Sequence, residues 1–360
     1  LPWYPAAATF VATCLAYTFS PELAHNRWYI FFTTIAILWI ATILNFRGMR
    51  LSVFLSKSGV LVGTIIPGFF LIAIASAYIL TDKPIQIPFN GGAALIPDLS
   101  TPKQWMLLAG MMVSLAGMEM SSVHVTNMKN PTSAFPRAIF LASLIILFFS
   151  IFGALSVALV VPGTQLSMSA GVCQSFDTML KALGFSWFTP ILGAFLAYGA
   201  LASIVTWMNG PSRGLLEVAQ EGYLPKYWQT RNSFGMQTSI LILQTGCATF
   251  LALSVLVMPS VSDAFWLFLA LCGELYMVMY LLMFAAAIRL KLRYPDKKGS
   301  YQVPGVKVGL CLMSGVAFVT CFISILCGFV PPEQILSKGV WASLGYIFFL
   351  IAGLAIFIST

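Results

Sequence analysis

Two carboxylates lie inside long apolar runs, Glu119 in "SLAGMEMSS" and Glu274 in "GELYMVMY". A charged side chain at the centre of a membrane helix costs about 2.5–3.5 kcal/mol on insertion scales, so it is kept only where it faces a cavity or a partner. Such a group marks an ion or substrate path; the alternative is a neutral carboxyl bonded to a neighbouring helix. Gly117 precedes Glu119 by two residues and can interrupt the helix. A broken helix offers N–H groups at one end and carbonyls at the other, which suits a zwitterion or a cation. Aromatic candidates accompany the acids. Trp207 in "SIVTWMNGPSRG" is either part of an interfacial belt or the wall of a substrate cavity. Tyr276 and Tyr280, four apart, share a helix face. Their hydroxyls call for a partner, which a polar ligand or Glu274 can supply, and plain interhelical packing is the other reading. His124 is off the face of Glu119 and His25 is far away. These residues form no metal site, no catalytic constellation and no phosphate loop, so no cofactor and no enzyme chemistry is expected.

The elements that must position these residues follow from composition. The 360 residues are 59% hydrophobic and 8% charged, against about 25% charged in a soluble domain. One aqueous core cannot hide that much apolar surface, and lipid is the main solvent. Crossing a bilayer takes about 20 apolar residues, a template met roughly at 3–19, 28–46, 58–80, 104–125, 137–161, 186–209, 237–258, 264–288, 308–330 and 339–358. The expectation is an all-α polytopic helix bundle with ten spans, forming a single domain over 1–360.

Charge orients the bundle. Of the 19 Lys and Arg residues, 14 fall in the even-numbered loops and 5 in the odd-numbered ones. The basic side is cytoplasmic by the positive-inside rule, which puts both ends inside and accounts for the net charge of +8 without a nucleic-acid partner. Between the fifth and sixth spans, Val172, Phe176, Met179, Leu180 and Leu183 recur at helical spacing opposite Gln174, Asp177 and Lys181. This segment reads as a short amphipathic surface helix, either a lid or a passive element. The seven cysteines lack a C-x-x-C pair and read as small packing residues. Pro67-Gly68 predicts a structural kink in the third span. The chain opens on "LPWYP", inside an apolar run, which suggests that residues precede it.

The stretches "SLAGMEMSSVHVTNMKNP", "WMNGPSRGLLEVAQEGYLP", "LVVPGTQLSMSAGV" and "YPDKKGSYQVPG" resemble the bacterial glutamate/γ-aminobutyrate antiporters of the amino acid–polyamine–organocation (APC) superfamily, in order and over essentially the whole chain. The resemblance implies the inverted-repeat fold of the sodium-coupled leucine transporter, with ten of an expected twelve spans present. It aligns Gly117 and Glu119 with the family's broken sixth helix, Trp207 with a tryptophan that closes over substrate, and Tyr276 and Tyr280 with a tyrosine pair near the site. Glu274 is a possible further member. These 360 residues differ from the family's full pattern in three ways. The family's first helix is expected to precede residue 1, Ser203 stands where an acidic residue is expected four before the tryptophan, and the sequence stops just after its last span, before the place of any C-terminal plug. The implied function is exchange of external glutamate for internal γ-aminobutyrate at the bacterial inner membrane. A cytosolic glutamate decarboxylase would be the functional partner, and the pair would support acid resistance. Glu119 would pair with a substrate ammonium or titrate in step with it. Alternatives are an arginine/agmatine or neutral amino acid exchanger and, from other classes, a channel or a membrane-embedded enzyme.

Overall fold

The computed structural model describes all residues except 82, 87–103, 105–109, 113, 163–165, 168, 259, 295–302, 304, 332, 337–338 and 360. In lipid, main-chain polar groups must be satisfied within the segment, which favours helices. The long helices are α1 (Trp3–Phe19), α2 (Arg27–Phe46), α3 (Met49–Val60) and α4 (Ile66–Leu80), the last two joined by a π turn at Leu61–Ile65. They continue as α5 (Pro131–Val160), α6 (Gly171–Ala182), α7 (Thr189–Gln220), α8 (Thr238–Ala252), α9 (Val261–Arg293), α10 (Val306–Gly328) and α11 (Val340–Ser359). Among the described residues, seven helical stretches are long and apolar enough to cross a membrane. Of the other three expected spans, α1 has 17 residues, the apolar part of α11 is Val340–Ile356, and 104–125 lies partly outside the described residues.

Several helices overrun their apolar segments. The third span begins at Met49 rather than 58, and the sixth continues to Gln220 rather than 209. Apolarity marks the part in hydrocarbon, whereas hydrogen bonding carries the helix on through Arg50, Lys57, Arg213 and Glu217. The expected amphipathic helix is α6, which buries Phe176, Met179 and Leu180 and pairs Lys181 with Asp177 at 2.6 Å. The break around Pro67-Gly68 is the π turn just before it: Pro67 has no N–H for the carbonyl four residues earlier.

The chain divides into two compact units, Leu1–Asn90 with Ile145–Phe268, and Gly91–Leu144 with Leu269–Thr360. In the first unit, α7 packs against α1, α2 and α3. Between helices in lipid there is little hydrophobic driving force, so association rests on close van der Waals fit and small residues. Gly59 and Gly63 provide that fit: a Cβ at Gly63 would collide with the Gly199 backbone, and one at Gly59 with the Ala202 methyl. Gly193 also lies close on α1, where an added Cβ would come 2.8 Å from the Cys14 carbonyl oxygen. These contacts fix the helix that carries Ser203 and Trp207.

In the second unit, α9 from Leu269 onward packs with α10 and α11. Gly353 leaves room for the Leu271 side chain, and the Tyr346 hydroxyl donates to the Gly328 carbonyl at 2.8 Å. The described part of the 104–125 stretch is interrupted at residues 115–117 and resumes as a 3₁₀ segment, Met118–Asn127.

Candidate functional site

Gly117 ends the interruption in the described part of the 104–125 stretch. Its φ of 105° lies in the left-handed region, which glycine adopts without the steric cost other residues meet. Two side-chain oxygens receive the Gly117 N–H at this turn, Glu119 Oε2 at 3.1 Å and the Tyr280 hydroxyl at 2.9 Å. Tyr280 in turn donates its O–H to Glu119 Oε2. The three groups close a triangle on one carboxylate oxygen. The other oxygen, Oε1, is buried with no hydrogen-bond partner among the described residues. Tyr276 stands edge-on to Tyr280 with ring centroids 6.0 Å apart, and Phe284 stacks on the far side of Tyr280 at 6.0 Å.

Four of the anticipated residues therefore gather around the break: Gly117, Glu119, Tyr276 and Tyr280. The partner of the Tyr280 hydroxyl is Glu119, not Glu274. The reason is helical phase, because Glu274 is two residues from Tyr276 and six from Tyr280, which turns it onto another face of α9. There it is 4% exposed. A Cβ at Gly328 would coincide with its Oε1, so the glycine makes the notch that admits the carboxyl, and Oε2 has no hydrogen-bond partner among the described residues. Glu274 thus belongs to the junction of α9, α10 and α11, with Tyr346 and Gly328 as neighbours that the sequence did not single out.

Trp207 and Ser203 belong to the first unit, on α7. The Trp207 ring is half-buried, 5.5 Å from the Trp3 ring at an interplanar angle of 41°. Its main-chain carbonyl accepts from the Tyr4 hydroxyl at 3.2 Å, and the Gln244 amide donates to that hydroxyl. Trp3, Tyr4 and Gln244 carried no sequence signal of their own. The one visible clue was Pro211, four residues after Trp207. The His124 side chain lies outside the described part, and His25 stays in the turn before α2. Among the described residues no group of three His, Cys, Asp or Glu side chains could hold a metal ion. All seven cysteines are free, with the Cys173 and Cys14 sulfurs 3.5 Å apart.

An all-helical multi-pass bundle with a helix broken at a glycine, and a carboxylate gripped beside that break, has the build of a membrane carrier of small polar solutes. The chain belongs to the amino acid permease family, within the APC superfamily, matching it over residues 1–356. It is 32% identical over 356 residues to an uncharacterized transporter of Legionella pneumophila, covering 99% of this chain and 76% of that protein. It is 30% identical over 309 residues to a glutamate/γ-aminobutyrate antiporter of Lactococcus lactis subsp. lactis, covering 85% of this chain and 61% of that one. A probable agmatine/putrescine antiporter of the same bacterium is 24% identical over 244 residues, covering 67% and 52%. The chain spans about three-fifths of the length of the glutamate/γ-aminobutyrate antiporter. These relatives are transporters and not enzymes.

Proposed function

We propose that the protein is an antiporter of the bacterial inner membrane that exchanges glutamate for γ-aminobutyrate by alternating access. The observation that carries this reading is the state of Glu119. Gly117 and Tyr280 saturate and orient one oxygen, and the other is buried and unpartnered among the described residues. Both proposed substrates carry an ammonium group, and a preoriented anionic oxygen beside a helix break suits one. The names of relatives at about 30% identity support the same substrate pair. Trp207 is proposed, on its own unit, as an aromatic group that contacts the cargo during the cycle. A cytosolic glutamate decarboxylase would convert the imported acid and consume a proton, which would connect the exchange to acid resistance.

A diamine exchanger is the second reading, since the same oxygen suits the primary ammonium of a polyamine. The two separate in one experiment. The full-length protein in proteoliposomes is loaded with glutamate, γ-aminobutyrate, agmatine, putrescine, arginine or a neutral amino acid, and counterflow of radiolabelled glutamate and, in a parallel set, of radiolabelled putrescine is measured. Uptake driven by internal γ-aminobutyrate and not by agmatine or putrescine is expected. Glutamate uptake that needs no internal counter-substrate would overturn antiport, and exchange confined to diamines would replace the substrate pair.

A further inference from the structure

Proline has no N–H, so the carbonyl four residues before it loses its helical donor and is crowded by the ring. In α7 the proline is Pro211 and the carbonyl is that of Trp207. The residue that supplies the missing bond comes from another helix: the Tyr4 hydroxyl of α1 donates to Trp207 O at 3.2 Å. Tyr4 is 4% exposed, and its hydroxyl oxygen receives the Gln244 amide from α8. The residue before it, Trp3, lays its ring against that of Trp207. Thus α1 grips Trp207 at both backbone and indole, from adjacent positions.

Beyond Trp207, the helix is tied down separately. Asn209 Nδ2 donates to Ser52 Oγ at 2.7 Å, and Gln237 Nε2 donates to Ser212 Oγ at 2.6 Å. Gly210 and Pro211 between these ties form the weakest stretch of the α7 backbone, a combination at which helices bend. Gln237 holds the far side at Ser212, so the direction of the indole depends on what holds the near side, which is Ser52 at Asn209 and α1 at Trp207 itself.

We propose that Tyr4, oriented by Gln244, is a positioning residue for Trp207. It donates the hydrogen bond that Pro211 cannot, and so sets the angle at which the indole meets the amino acid cargo. The role toward cargo rests on the reading of Trp207 given above; the replacement of the helical bond does not.

Two measurements on the full-length protein test the two parts. The first is a thermal-stability cycle on the purified protein with Tyr4→Phe, Pro211→Ala and the double variant. Alanine restores the helical donor, so Tyr4→Phe should lower the melting temperature in the parent chain and lower it much less in the Pro211→Ala background. Equal losses in both backgrounds, or none in either, overturn the bond replacement. The second is exchange kinetics in proteoliposomes. Tyr4→Phe should raise KM about five-fold, the size expected for one lost hydrogen bond, with a smaller change in maximal rate, and should add nothing in a Trp207→Leu chain. Additive effects on KM overturn positioning through Trp207. An unchanged KM in Trp207→Leu alone overturns the cargo-contacting reading, and with it the positioning role, while the stability cycle still judges the bond.

Discussion

At Glu119 the two oxygens of one carboxylate have different circumstances, and the proposed role in holding cargo rests on that difference. Oε2 is locked by Gly117 and Tyr280, while Oε1 faces no donor among the described residues. Replacing the acid by its amide keeps the size and removes the charge. Glu119→Gln is therefore expected to insert and fold normally and to lose exchange activity by roughly ten- to hundred-fold, the range for one charge-assisted hydrogen bond. Exchange at parental rates in proteoliposomes would remove Glu119 from the site. The sequence exposed both the acid and the adjacent glycine, because a lone Glu in an apolar run is conspicuous on composition alone. It did not expose Tyr280 as the partner, since the two residues are 161 positions apart and only the fold sets them side by side. The same limit hid the place of Glu274, whose glycine notch lies on a different helix at Gly328.

At the scale of elements, glycine contacts do the work that apolar burial does in water. The approach of α3 and the π turn to α7 through Gly59, Gly63 and Gly199 leaves no room for a methyl group, and at Gly199 the obstruction is the main chain of Gly63 rather than a movable side-chain tip. Gly199→Ala is expected to destabilise the purified protein by about 1–3 kcal/mol, the usual scale of overpacking. It would be seen as a lower melting temperature and reduced folded yield, and a melting temperature equal to the parent's would contradict the packing described. The helices themselves were legible from apolar run length. Their ends were not, because polar residues such as Arg213 and Glu217 continue a helix once it has left the hydrocarbon. The break at Gly117 was legible as a possibility, and its left-handed φ now gives it a physical cause.

For the whole molecule, the charge asymmetry of the loops predicts a single orientation. Reporter fusions should place the loop at residues 223–236 in the cytoplasm and the one containing α6 outside it. The opposite arrangement would invert the topology drawn from Lys and Arg. The multi-pass helical build was the most readable feature of the sequence, as hydropathy depends on local composition and needs no knowledge of which helix meets which. The bonds that unite distant segments were the least readable. Tyr4 and Trp207 lie 203 residues apart, although the proline that calls for such a bond stood in plain view.

The π turn at Leu61–Ile65 has a consequence for chain length. A wide turn holds one residue more than an α turn, so a single deletion there can be absorbed by tightening the coil. A deletion in regular helix instead swings everything beyond it by about 100°. Removing Val62 should yield a monodisperse protein on size exclusion, whereas removing Ser56 should yield aggregates, and natural length variation among homologous chains should collect at the first position and avoid the second.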